Sequence, residues 1–113
     1  MKKIILSLII SVLPCVANAY IDKTNAVVRI LNKDAGKVTE RTITVGQGIK
    51  FEKLNIDVRT CKQSDPFDAE DYFAFVEIFE GKNQVFGGWM TKNDPGKNPL
   101  QHPDYDVWLV KCE

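Results

Sequence analysis

Histidine is almost missing from this chain: His102 is the single one. Serine is nearly as scarce, since beyond residue 19 only Ser64 remains, in an acidic stretch with no nucleophile elbow around it. These shortages remove the common nucleophile–base pairs and leave one acid–base pairing to consider, His102 with Asp104 or Asp106. The three cysteines include no close-set pair, which argues against a zinc site built from Cys61, Cys112 and His102. The acids Asp65, Asp68, Glu70 and Asp71 lack the glycine and spacing of a calcium loop. Neither a metal nor a cofactor is expected. Lysine and arginine are scattered and matched in number by acids, 15 against 15, so no phosphate-backbone footprint and no nucleic-acid partner is suggested. Internal repeats and low-complexity tracts are absent.

Long apolar runs are absent too, apart from Ile4 to Leu13, which only Ser7 and Ser11 interrupt. That run is too short to span a bilayer. It follows Lys2 and Lys3 and precedes Ala17-Asn18-Ala19, the small residues of an A-x-A cleavage site. Residues 1–19 are therefore expected to be a signal peptide cleaved after Ala19. Residues 20–113 should form a single domain in the periplasm or secreted, with no transmembrane segment. Leu13 and Pro14 are not the small residues that a lipoprotein acceptor at Cys15 would want. The leader removes two bases and no acid, so the domain carries a slight net negative charge.

With Cys15 in the leader, Cys61 and Cys112 remain. Two cysteines in a small exported domain point to a disulfide. Closing a loop of about fifty residues stabilises by roughly 4 kcal/mol in the chain-entropy account, a useful staple for so small a core.

The remaining chain reads as short strands. Ala26–Asn32 and Lys37–Val45 flank the turn chemistry of Asn32-Lys33-Asp34-Ala35-Gly36. Leu54–Cys61 alternates most cleanly, with Leu54, Ile56 and Val58 on one face. Cys61 falls on the other face, so a bulge or strand end is needed to bring it to Cys112. Tyr72–Glu80 is aromatic and β-branched with apolar residues on both faces, which predicts a central strand. Gly81-Lys82-Asn83 turns the chain into Gln84–Met90, where Gly87-Gly88 suggests a bulge or a close backbone approach. Asp106–Cys112 is the last strand. The predicted fold is all-β: a small antiparallel β-sandwich or partly open barrel of six to seven strands. An immunoglobulin domain does not fit, because no strand follows Cys112 and Val110 stands where its corner tyrosine belongs.

Thr91 to Tyr105 reads as irregular, with Pro95, Pro99 and Pro103 and no periodicity. An irregular segment of this length in a small domain is usually functional. Trp89 and Trp108 flank it. Phe73, Phe75, Phe79, Phe86, Trp89 and Trp108 are expected in the core, with Trp89 or Trp108 able to reach the surface as an anchor. The candidate binding residues are Trp89, Leu100, His102, Asp104 and Tyr105, with part of Leu100, His102 or Tyr105 exposed. No catalytic residue is assigned.

Gly88-Trp89-Met90 with Pro95, then Leu100, His102-Pro103, Tyr105-Asp106-Val107-Trp108 and Cys112, together with Leu31-Asn32-Lys33, Gly36 and Leu54 to Cys61, resemble a family of small exported bacterial proteins defined only as a domain of unknown function. The resemblance spans nearly all of residues 20–113. It implies an envelope location and paired cysteines, and it carries no catalytic residues. The expectation is a non-enzymatic binding or accessory protein of the cell envelope that presents residues 91–105 to an envelope protein partner. The alternatives are a small hydrolase-type enzyme using His102 with Asp104 or Asp106, and a structural envelope protein.

Overall fold

The computed structural model describes residues 20–96 and 99–113. The signal-peptide reading of residues 1–19, with Cys15 and the cleavage after Ala19, lies outside the described residues. The remainder is all-β: β1 (Ile21–Asp22), β2 (Asn25–Asn32), β3 (Lys37–Thr44), β4 (Gly48–Phe51), β5 (Leu54–Gln63), β6 (Tyr72–Glu80), β7 (Asn83–Thr91), β8 (Leu100–Gln101) and β9 (Tyr105–Cys112). All pairings are antiparallel. One sheet runs β1-β5-β6-β7, with β4 also on β5; the other runs β3-β2-β9-β8. β6 is central, as its two-sided apolar pattern predicts. Three short strands, β1, β4 and β8, are additions to the expected set. Each is two to four residues long and depends on a neighbour for its pairing.

The core lies between the sheets. β5 contributes Leu54, Ile56 and Val58, β6 contributes Ala74, Val76 and Ile78, and β2 contributes Ala26, Val28 and Ile30, all fully buried. Val107 and Leu109 of β9, beside β2 in the four-stranded sheet, join the same core. Burying each of the valine, leucine and isoleucine side chains stabilises by roughly 1.5–3 kcal/mol.

The disulfide Cys61–Cys112 joins the two sheets, with Cα atoms 5.7 Å apart. Simple alternation puts neither cysteine inside, and two bulges correct this. Val58 pairs with Val76 but Thr60 pairs with Phe75, leaving Arg59 as an extra residue. Val28 pairs with Leu109 but Val27 pairs with Lys111, leaving Val110 as another. Each bulge reverses the facing of the residues after it, so Cys61 and Cys112 both turn inward. A third bulge, at Val85, separates the pairs Ile78–Phe86 and Phe79–Gln84. It sits two residues ahead of the Gly87-Gly88 position where the sequence suggested one.

The aromatic assignment to the core requires correction. Phe73, Phe75, Phe79, Phe86 and Trp108 are only half-buried, and Trp89 is exposed. Alternation is the reason: β6 gives its inner face to Ala74, Val76 and Ile78, so Phe73, Phe75 and Phe79 occupy the outer face. Phe86 leans on the edge of the core.

Candidate functional site

At one end of the domain the turns β2–β3, β4–β5, β6–β7 and β8–β9 meet in a polar fastening. The segment 91–105 is not irregular throughout. Leu100–Gln101 pairs with β9, and the turn back is closed by the His102 amide donating to the Tyr105 carbonyl at 2.9 Å. Leu100 and Tyr105 are 2% and 3% exposed, so they hold the segment from beneath and present little side chain to a partner. The Tyr105 hydroxyl donates to Glu52 Oε1 at 2.8 Å. Burial, then this bond to a carboxylate, push the Tyr105 phenol above its ordinary range. Glu52 holds a left-handed backbone, φ 53°, and also receives the Asn32 amide. Such a backbone persists in a non-glycine residue only where its surroundings fix it.

His102 is gripped at both ring nitrogens. The Asp104 amide donates to Nδ1 at 3.0 Å, which leaves the ring proton on Nε2, 2.8 Å from Glu80 Oε1. Lys53 Nζ bonds Asp104 Oδ2 at 2.8 Å and faces Glu80 at 3.9 Å. The Lys53 hydrogen bond and charge hold the Asp104 carboxyl below its ordinary value. Lys33 Nζ donates to the His102 carbonyl and faces Asp106 Oδ1 at 3.1 Å. A general base needs a free ring nitrogen aimed at a substrate proton, and here protein groups occupy both. Ser64 lies in the β5–β6 loop, where its hydroxyl donates to the Ala69 carbonyl and accepts the Asp71 amide. Cys61 and Cys112, bonded to each other, are not thiolate ligands. The arrangement suits holding four turns together.

The outer face of the five-stranded sheet differs in kind. A solvated face should be polar, yet β6 presents Phe73, Phe75 and Phe79 there, and β7 sets Trp89 beside Phe75. Tyr20 stacks on Phe73 with centroids 5.5 Å apart, and Trp89 meets Phe75 edge-on at 5.4 Å. Tyr20 is 54% exposed and Trp89 44%. Tyr20, Phe73, Trp89 and the stem of Lys62 line an apolar hollow of about 310 Å³. Lys62 is turned toward Asp22, 2.7 Å away.

The β5–β6 loop, which joins the strand ends that carry Lys62 and Phe73, displays Phe67, 96% exposed. The display is built, not loose. Asp65 Oδ1 accepts the Phe67 amide at 2.8 Å, the Asp65 carbonyl accepts the Asp68 amide, and Ser64 and Asp71 exchange bonds across the base. Asn93 then ties the start of the next loop to this one through the Glu70 carbonyl and Asp71 Oδ1. Of the candidate binding residues, only Trp89 belongs to this surface; Leu100, His102, Asp104 and Tyr105 belong to the fastening. The signal for the outer face was in YFAFVEIFE, whose period of two separates Phe73, Phe75 and Phe79 from Ala74, Val76 and Ile78.

No solved structure matches this chain. An uncharacterized protein of Rickettsia prowazekii (strain Madrid E), RP359, is 26% identical over 94 residues, covering 79% of this chain. The chain spans 61% of that relative's length. The family described as "Uncharacterized protein conserved in bacteria (DUF2155)" matches residues 26–112, and the chain belongs to that family.

Proposed function

We propose that this is an exported, non-enzymatic binding or accessory protein of the cell envelope, which engages a protein partner through the aromatic outer face of the five-stranded sheet. The carrying observation is that face: Tyr20, Phe73, Phe75 and Trp89 cluster where alternation calls for polar residues. Partly exposed tyrosine and tryptophan around an apolar hollow are the usual make-up of an interface hot spot. The segment 91–105 contributes at its start, where Asn93 is fixed against the Phe67 loop. Export rests on the leader pattern and is supported by the cysteine pair, which suits an oxidising compartment. The hydrolase alternative with His102, Asp104 or Asp106 gains no support from a histidine whose two nitrogens are both occupied.

The test starts from the exported protein, whose intact mass should correspond to a chain beginning at Tyr20. Trp89→Ala with Tyr20→Ala should then keep the melting temperature within a few degrees and lose the partners that the parent chain captures by crosslinking in intact cells. Unchanged capture by the folded double variant contradicts the reading.

A further inference from the structure

At the far side of the sandwich the two sheets do not close on each other. β3 ends one sheet, and β4 pairs only with β5 in the other. Each strand therefore has one edge without a strand partner among the described residues. Between them lies a groove of about 620 Å³. Lys37, Arg41, Lys50, Val38 and Phe51 contribute to its walls.

Its walls carry Lys37, Arg41 and Lys50 against Glu40 and Glu52, so cations outnumber acids. Glu40 is matched by Arg29 at 3.1 Å, and Glu52 accepts from Tyr105 and Asn32. Lys37, Arg41 and Lys50 make no salt bridge among the described residues. Arg41 is the most telling. It shares its strand face with Ile43, a core position, yet it is exposed and sits 5.4 Å over the Phe51 ring. Its guanidinium covers the mouth of the core with its charge turned to the groove. Val38, 52% exposed, adds an apolar contact on β3.

Free strand edges present unpaired amides and carbonyls that an added strand can satisfy. The three cations select what that strand carries. We infer that this groove receives an extended acidic segment of a second protein, which adds to β3 as a strand and sets its carboxylates against Lys37, Arg41 and Lys50. The added strand lies between the free edges of β3 and β4, on the opposite side of the domain from the β7 edge that bears Trp89.

The probe is a pool of octapeptides alternating Glu or Asp with Val, Ile or Thr, titrated calorimetrically against the exported, disulfide-intact protein. The expected result is saturable binding, with slowed hydrogen exchange at the β3 amides that do not pair with β2. Substituting Lys37→Glu, Arg41→Glu and Lys50→Glu together should weaken binding roughly tenfold or more, while Trp89→Ala leaves it unchanged. Exchange data on the unaltered protein keep the test valid if the triple variant misfolds. Three results overturn the inference. One is that the pool fails to bind. Another is that polyglutamate competes fully with no β3 protection, which marks a plain anion site. The third is that Lys37→Thr with Arg41→Thr makes the free chain self-associate while peptide affinity stays the same, which marks these charges as guards of an edge.

Discussion

His102 illustrates how one side chain's meaning depends on its neighbours. The chain's single histidine draws notice as a candidate base, yet its ring joins the Asp104 amide to the Glu80 carboxylate. His102→Ala should therefore destabilise the domain by about 1–3 kcal/mol through the two lost bonds, measured by urea denaturation, and leave partner capture intact. Asp104 gives the pH dependence. Its folded-state value is lowered by Lys53, so its contribution is complete above the ordinary carboxylate range, ~4, and is lost as pH falls through the lowered value. Melting temperature should be flat in this respect near neutrality and fall in acid, and Asp104→Asn should shrink that acid limb slightly. An unchanged limb would show that other carboxylates set it. The involvement of Leu100 and Tyr105 was visible in the sequence, but not their burial. Burial follows from the β8–β9 pairing, and two-residue strands carry no periodicity of their own.

The elements show what alternation reveals and where it stops. Leu54, Ile56 and Val58 announce the inner face of β5, and the mismatch at Cys61 announces a bulge, found at Arg59. The matching bulge at Val110 had no comparable sign, because β9 carries apolar residues on both faces, Val107 and Leu109 on one and Trp108 and Val110 on the other. β6 was legible as a central strand, while its faces were misjudged: aromatic bulk suggests burial more strongly than period-two placement suggests exposure. The bulges make a firm prediction. Deleting Arg59 or Val110 should restore plain alternation, with Thr60 following Val58 or Lys111 following Leu109, so the cysteine still faces inward and no free thiol labels after purification. Replacing both cysteines by alanine should cost about 2–5 kcal/mol of stability. Free thiols in a folded chain lacking Arg59 or Val110 would refute this account of the bulges.

For the whole molecule, the two ends divide the work. The His102 end is a fastening of short turns, and the aromatic face at the other end is the surface proposed for the envelope partner. The all-β fold, the disulfide and the family were legible from composition, spacing and motif. The proposed contact surface was not, because it gathers Tyr20, Phe73 and Trp89 from segments that only the sheet pairing brings together. The most direct test is site-specific photo-crosslinking in intact cells. A photoreactive residue placed at Phe67, Phe75 or Trp89 should yield a discrete adduct with one protein partner, while the same residue at Gln101 or Trp108, on the other sheet, should yield none. Adducts from Gln101 or Trp108 with none from Phe67, Phe75 or Trp89 would contradict the account.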